Sequence, residues 1–213
     1  IWSPKNRSYV RGLVSIRIYS EDVDPDKTWL TINGSIVRVW DGTGVFTYAW
    51  DTTSVDYGMF EIIAYANDSL GTVSSYRIVV YVDNTIPDVS ILSPSNGSFV
   101  EGTVVINVSS SDLYGKKTWI EVDGNVVQSW DGVGNFTYYW STIGYIDGIH
   151  EVVAYAEDYA GNIGSYRIVV NIDNNPPEVT IYSPANGSVV GGIVDINISV
   201  SDVYVDTVWL TID

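Results

Sequence analysis

Apolar and polar residues alternate along short segments of this chain. The segments 104–108, 120–122 and 136–140 place Val, Ile or aromatic residues at every second position, which is typical of β-strands with one buried face. Gly, Asp and Asn interrupt the segments, as in "DGN" at Asp123 and "DGVGN" at Asp131. These residues tolerate the positive φ angles of tight turns. The pattern predicts strands and turns throughout, with no helix required.

The alternating pattern returns at an interval of 90 residues. Residues 1–90 align with residues 91–180 without a gap, and nearly half of the positions are identical. Each copy opens with a related phrase: "IWSPKNRSYVRG", "ILSPSNGSFVEG" and "IYSPANGSVVGG". Such a period indicates tandem domains. We predict a domain over residues 1–84 that lacks part of its N-terminal edge, a second over 85–174, and the first strands of a third over 175–213.

The predicted fold class is all-β. Each full repeat carries roughly seven short strands, which is typical of an immunoglobulin-like β-sandwich. The chain has no cysteine, so we predict tandem immunoglobulin-like β-sandwiches without disulfides, with a 90-residue repeat. Because the chain starts without Met or a signal-peptide pattern, we expect a segment of a longer protein. The third domain is then completed by continuation of the chain, and completion by another subunit's strand is the alternative.

Several motifs carry a resemblance to a known family. The order "SPxNGSxVxG", "SDLYGKKTWIEVDG", "FTYYWSTIGYIDGIHEVVAYAEDYAGN" and "VVNIDNNPPEV" resembles the bacterial Ig-like repeats found in tandem in secreted and cell-surface proteins of bacteria and archaea. The resemblance covers both full repeats and the incomplete third copy. It implies the sandwich fold but no single activity. The first repeat departs from the pattern at "ANDSLGT", where Leu70 and Thr72 replace residues of the Ala-Gly-Asn turn.

Charge excludes two classes of partner. The chain has 26 acidic and 10 basic residues and a net charge of −16, so nucleic acid and anionic membrane surfaces would repel it. No apolar run approaches the roughly 18 residues of a membrane span, and we predict no direct insertion of this segment. The expected partners are further copies of the repeat in the same chain, with self-association into a filament or layer.

Asn-x-Ser/Thr sequons are more frequent than chance predicts, even after the duplication is allowed for. They predict N-linked glycans and therefore an extracellular, cell-surface location on an archaeal or bacterial envelope. The alternative is that Asn-Gly-Ser is simply a good turn. The candidate glycosylation sites are Asn6, Asn33, Asn67, Asn96, Asn107, Asn135, Asn186 and Asn197.

Acidic residues recur at equivalent positions of the repeats, and some are expected at the junction between domains. In an immunoglobulin-like sandwich, the loops that contain Asp112 and Asp158 face the preceding domain and its linker. Clustered carboxylates there would hold Ca²⁺ and stiffen the junction, and the "DN…P" linker is similar to the calcium-binding junction of cadherins. Alternatively, these acids cap turns. The candidate ligands are Glu61, Asp83, Asn84, Asp88, Asp112 and Asp158.

No residue is predicted to be catalytic, and no cofactor beyond calcium and glycans is expected. The single histidine, His150, aligns with Phe60, so the two repeats cannot share chemistry at that position. Trp29 and Trp119 alternate with apolar neighbours, so one set of side chains must leave the core. Aromatic side chains that point outward have three explanations: a neighbouring loop covers them, they mediate association between stalks, or they form a platform that stacks on sugars.

The sequence is compatible with two functions. The first is a non-catalytic structural module: a rod-like glycosylated array that serves as a stalk, surface-layer component or extracellular filament. The second is an accessory or adhesive array of a secreted enzyme or adhesin, which binds polysaccharide or a cell surface. We favour the first because nothing in the repeats has the pattern of a catalytic or ligand-binding site.

Overall fold

The computed structural model describes residues 1–212. Asp213, the last residue of the predicted third domain, lies outside the described residues. The first repeat forms seven strands and one short 3-10 helix, Thr52–Ser54. The strands are β1 Tyr9–Val10, β2 Leu13–Ser20, β3 Pro25–Ile32, β4 Ser35–Asp41, β5 Gly44–Asp51, β6 Gly58–Asp68 and β7 Val73–Val82.

The second repeat has the same order of strands, with one more at its start. The third copy contributes two strands that pair with each other. Strands of the second repeat are β8 Asp88–Ser93, β9 Phe99–Val100, β10 Thr103–Ser111, β11 Gly115–Val122, β12 Asn125–Asp131, β13 Asn135–Ser141, β14 Gly148–Asp158 and β15 Ile163–Ile172. The third copy supplies β16 Glu178–Ser183 and β17 Asn197–Ser201, which pair antiparallel.

Each full repeat consists of two sheets that enclose one core. In the second repeat, a five-stranded sheet of order β12-β11-β14-β15-β9 faces a three-stranded sheet of order β13-β10-β8. In the first repeat, the sheets are β4-β3-β6-β7-β1 and β2-β5. The described residues contain no α-helix. The fold is therefore an all-β, immunoglobulin-like sandwich without disulfides, as the sequence predicted.

The predicted inward positions form the core. Ile106, Val108 and Ile120 are at most 1% exposed, and Trp140 is the largest fully buried side chain. The core of the first repeat is a separate cluster built from the equivalent positions, including Ile16, Ile18, Leu30 and Trp50. Two cores mean that each full repeat buries its own apolar surface.

The outward tryptophans are covered by tyrosines of the adjacent strand. Trp29 pairs with Tyr65, and their rings stack with centroids 5.0 Å apart; Trp119 and Tyr155 do the same at 4.9 Å. Cover by a neighbouring loop, one of the three explanations predicted from the sequence, is therefore wrong for these two rings. The cover comes from within the sheet because antiparallel pairing sets the two side chains opposite each other.

The recurring "SPxNGS" phrase is the point where the first strand of a domain changes sheets. In the second repeat, β8 belongs to the three-stranded sheet and β9 runs parallel to β15 in the other sheet. Between them, the Asn96 side chain accepts a hydrogen bond from the Val169 backbone N–H at 2.9 Å. Asn6 accepts from Val79 in the same way. The phrase therefore recurs because each domain needs the same turn between its sheets.

Candidate metal centre at the domain junction

The linker between the first two domains is anchored at its start to the first domain. The Asp83 backbone N–H donates to the Val10 carbonyl at 3.0 Å. The Asn84 side chain accepts from the Gly12 N–H at 2.8 Å and donates to the Thr52 carbonyl at 2.9 Å. These bonds fix the direction in which the chain leaves the sandwich.

The far end of the linker lies directly on the second domain. Pro87 is buried, and its carbonyl oxygen would be 1.9 Å from a Cβ atom placed on Gly164. The first residues of β15 thus have no room for a side chain at this position. Glycine is required here by the close approach of another backbone, not by its φ angle.

Aromatic rings from both domains meet beside the linker. Tyr9 of the first domain lies 5.3 Å from Tyr159 and 4.9 Å from Tyr114 of the second domain, between ring centroids. Tyr81 stacks on Tyr9 at 5.1 Å. Aromatic pairs in this range contribute about 0.5–1.5 kcal/mol each beyond the area that they bury. The two domains therefore share a packed contact and not only a covalent connection.

Three carboxylates from separate segments converge at this contact. Asp83 lies in the linker, Asp112 follows β10, and Asp158 ends β14. One oxygen from each lies within 4.8 Å of the others. Asp83 is 3% exposed and Asp158 is fully buried, whereas Asp112 is half-buried. We refer to these three residues as the junction triad.

Most oxygens of the junction triad have protein partners. Asp112 Oδ1 accepts from the Tyr114 N–H at 2.7 Å, and Asp158 accepts from both the backbone and side-chain nitrogens of Asn162. Asp83 Oδ1 accepts from the Thr85 N–H at 3.0 Å. Asp83 Oδ2 is buried without a hydrogen-bond partner. These bonds account for one oxygen each of Asp83 and Asp112 and for both oxygens of Asp158, and they leave the buried Asp83 Oδ2 unexplained.

The junction triad is electrostatically unfavourable without a cation. Burial raises the pKa of Asp112, the charges of Asp83 and Asp158 raise it further, and the hydrogen bond from Tyr114 opposes the change. Like charges in a poorly solvated site disfavour ionisation. A bound cation would remove this repulsion.

The other predicted ligands lie outside the junction triad. Glu61 forms an ion pair with Arg77 on the neighbouring strand. Asn84 is engaged with its own domain through Thr52, as described above. Asp88 is exposed and lines an open cleft of about 470 Å³ together with Asp83 and Asp112. Only the linker acid and the two loop acids are therefore brought together.

Sequence reasoning missed the residue that joins the triad to both domains. Asn162 donates through Nδ2 to the Asp83 carbonyl at 2.9 Å, and its Oδ1 accepts from Arg11 Nη1 at 3.1 Å. The signal was present as the departure at Thr72, which occupies the equivalent position in the first repeat. The Ala-Gly-Asn turn of the second domain thus supplies an inter-domain contact that Thr72 cannot reproduce.

The next junction repeats these contacts at positions 90 residues later. Phe99 and Tyr204 pack edge to face at 4.9 Å, in place of Tyr9 and Tyr114. Asn174 binds Gly102 and Thr142 as Asn84 binds Gly12 and Thr52. Asp173 Oδ1 is again buried without a partner, and burial together with Asp202 raises the Asp173 pKa. The junction is thus a repeated structure.

Family comparison identifies the repeats. A family model described as "Bacterial Ig domain" matches residues 87–170, and one described as "Bacterial Ig-like domain (group 3)" matches residues 134–211. This is a chain of bacterial Ig-like domains. Such domains are generally non-catalytic and are typically extracellular or on the cell surface. No curated protein matches the chain in sequence, and the described residues contain no helix long and apolar enough to cross a membrane.

A solved structure shares the sandwich fold with these Ig-like domains. The fibronectin(III)-like modules of CbhA from Clostridium thermocellum are 18% identical with a TM-score of 0.52, and the match covers 81% of this chain and 92% of that one. A tetra-tandem repeat from the extending region of a large adhesion protein is 22% identical, with a TM-score of 0.38. That match covers 90% of this chain and 52% of the other.

His150 has a structural role in the second Ig-like domain. Its Nδ1 lies 2.6 Å from Asp123 Oδ2, its Nε2 lies 2.7 Å from the Ile146 carbonyl, and its ring packs edge-on against Tyr145. Burial lowers the pKa of His150, but the hydrogen bonds with Asp123 and Ile146 outweigh burial, so the pKa is raised.

We expect His150→Phe, which installs the residue of the first repeat, to have a pH-dependent effect. Because the folded-state pKa is raised, the charged histidine stabilises the domain below its unfolded-state pKa of about 6.5. This stabilisation is lost as pH rises through the folded-state pKa. The variant should therefore lose more stability at pH 5 than at pH 8, by less than about 1 kcal/mol. Thermal melting at the two pH values measures the difference.

Asp123→Asn is the matched variant for that experiment. Asn33 occupies the equivalent turn of the first Ig-like domain and accepts from Glu61 as Asp123 accepts from Glu151. The turn should therefore survive the change while the histidine loses its charged partner. Equal losses at both pH values in His150→Phe would contradict the role assigned to the ion pair.

Most of the predicted glycosylation sites are exposed in the Ig-like domains, but at two of them the side-chain nitrogen donates a hydrogen bond. Asn67 Nδ2 donates to Asp26, and Asn107 Nδ2 donates to Ser93. Glycan attachment at these two nitrogens requires that their hydrogen bonds be given up. The exposed sequon residues are Asn6, Asn33, Asn96, Asn135, Asn186 and Asn197.

Proposed function

We propose that this chain is a non-catalytic structural module of a long extracellular protein, in which Ig-like domains in a row form a glycosylated rod. The observation that carries the proposal is the repetition of the junction. Both junctions anchor the linker through the same Asn position and pack aromatic rings from the same positions of adjacent domains. A junction that repeats its contacts sets a constant relation between neighbouring domains.

The rod would serve as a stalk, surface-layer component or extracellular filament. Its partners are further copies of the same repeat and, through lateral contacts, other rods. The net charge of −16 supports an exposed, well-solvated surface. Glycans on the exposed sequon residues would extend that solvated surface.

The second candidate is an accessory or adhesive array that binds polysaccharide. The stacked Trp–Tyr pairs on the outer face favour it, because aromatic rings bind sugars through their faces. In the second domain, however, Tyr155 covers one side of the Trp119 ring, and Lys117 Nζ lies 4.4 Å from the ring centroid. Tyr155 and Lys117 therefore already cover part of the Trp119 ring, which supports the structural function over sugar binding.

Intact-mass spectrometry on the protein from its native source tests the proposal. We expect a mass well above the 23.5 kDa of this chain, decreasing in sugar-sized steps on chemical deglycosylation. Electron microscopy of the same sample should show elongated particles. A native mass of 23.5 kDa without a change on deglycosylation, together with compact particles, would contradict both the array and the glycans.

A further inference from the structure

We infer that the junction triad, Asp83, Asp112 and Asp158, is a Ca²⁺ site shared by the first two domains. The inference adds a ligand to the junction and does not depend on whether the whole protein is a stalk or an adhesive array. All three donors of the junction triad are carboxylates, and the described residues place no histidine in the group. Ca²⁺ prefers oxygen ligands.

The distances between the three carboxylate oxygens fit a bound Ca²⁺ ion. Oxygens bound to Ca²⁺ lie about 2.3–2.6 Å from the ion, so two ligands on opposite sides are at most roughly 5 Å apart. The three carboxylate oxygens lie within 4.8 Å of one another. One ion can therefore contact all three, with no large movement of either domain.

The unpartnered oxygen of Asp83 points to a ligand. Asp83 is 3% exposed, and its Oδ2 has no hydrogen-bond partner although its Oδ1 is bonded. A buried carboxylate oxygen without a donor is costly. A cation held by Asp112 and Asp158 satisfies it. Capping of turns accounts for the other bonded oxygens but not for this one.

The surroundings supply access and further ligands. The cleft that contains Asp83, Asp112 and Asp88 is open to solvent, so the ion can enter and retain water molecules in its coordination shell. Ca²⁺ takes six to eight oxygens, and water would complete the three carboxylates. The ion would connect the linker to two loops of the second domain. It would therefore reduce motion at the junction.

The partial recurrence at the next junction supports the assignment. Asp173 and Asp202 occupy the positions of Asp83 and Asp112, and Asp173 again has a buried oxygen without a partner. By contrast, Asp22 and Asp68 of the first domain hold the positions of Asp112 and Asp158 but do not belong to a group of three close carboxylates among the described residues. Those two acids form a control inside the same molecule.

Calorimetric titration of the full chain, stripped with chelator, tests the site. We expect CaCl₂ to bind, and Asp112→Asn to remove one binding event or weaken it at least tenfold, because it deletes a ligand charge while Asn still accepts from Tyr114. Asp22→Asn, at the equivalent position, should leave binding unchanged. MgCl₂ should bind much more weakly, since Mg²⁺ demands shorter contacts and gives up its water reluctantly.

Thermal melting gives a second readout that separates a lost ligand from a damaged fold. At a free Ca²⁺ concentration 100-fold above the dissociation constant, the melting temperature of the second domain should rise by at least about 5 °C. In chelator, Asp112→Asn should melt no lower than the wild type, because it removes like-charge repulsion. When Ca²⁺ is added, the melting temperature of Asp112→Asn should not rise.

Three results would overturn the assignment: no heat with CaCl₂, unchanged Ca²⁺ binding by Asp112→Asn, or a preference for Mg²⁺ over Ca²⁺. None of them would bear on the mass and particle shape expected for the glycosylated array, so the two proposals fail separately.

Discussion

Trp140→Ala should reduce the free energy of unfolding of the second domain by about 3–5 kcal/mol. Trp140 is 1% exposed, lies opposite Val104 on the neighbouring strand, and packs edge to face on Tyr145 at 5.3 Å. The rigid sheets on both sides cannot collapse into the space, so the variant retains a cavity. Denaturant unfolding should show the second domain unfolding earlier while the first domain is unchanged.

Trp119→Ala is the matched control on the opposite face of the same domain. Trp119 is half-buried and touches Tyr155 and Lys117 at the surface. Its removal forfeits a stacked pair and some area but leaves no enclosed cavity, so we expect a loss of roughly 1–2 kcal/mol. Equal losses for the two variants would contradict the assignment of inner and outer faces.

Gly164→Ala should disrupt the junction more than any other methyl addition to the second domain. A Cβ atom at this position would lie 1.9 Å from the Pro87 carbonyl oxygen and 3.4 Å from Val89 Cγ2. The first contact is with backbone and cannot be relieved by a side-chain rotation. We expect a net loss of about 1–3 kcal/mol, typical of overpacking, and greater bending between the domains, measured by thermal melting and small-angle X-ray scattering.

Ser74→Ala provides the comparison. Ser74 is the equivalent residue of the first domain and is exposed. Its replacement should change stability by no more than about 0.5 kcal/mol. If Gly164→Ala is as stable as the wild type, the linker does not lie on β15 as described.

The sequence predicted the fold in detail because alternation is a local property. The period of two at 104–108 and 136–140 placed Val104, Ile106 and Trp140 inside, and these residues are buried. The turn at Asp123 was also predicted, and Asp123 and Gly124 adopt positive φ angles. Such features depend on neighbouring residues in the chain, so a single sequence contains them.

The junction was only partly predictable, since it depends on residues far apart in the chain. Loop position in a sandwich was enough to place Asp112 and Asp158 near the linker. It could not show that Glu61 is paired with Arg77, or that Asn162 reaches back to Asp83. The ion pair depends on which side chains meet across two paired strands of the first domain, and the Asn162 contact depends on packing between domains. Neither leaves a periodic signal. The domain limits at 84/85 and 174/175 likewise remain predictions.

Small-angle scattering of the full chain, compared with Gly164→Ala under identical Ca²⁺ conditions, tests the central claim most directly. That claim is that repeated, packed junctions hold the Ig-like domains in a rigid row. We predict scattering from the wild type that fits a single extended particle, and a broader, more flexible distribution of distances for Gly164→Ala. Wild-type scattering that requires a flexible ensemble, indistinguishable from the variant, would contradict the account.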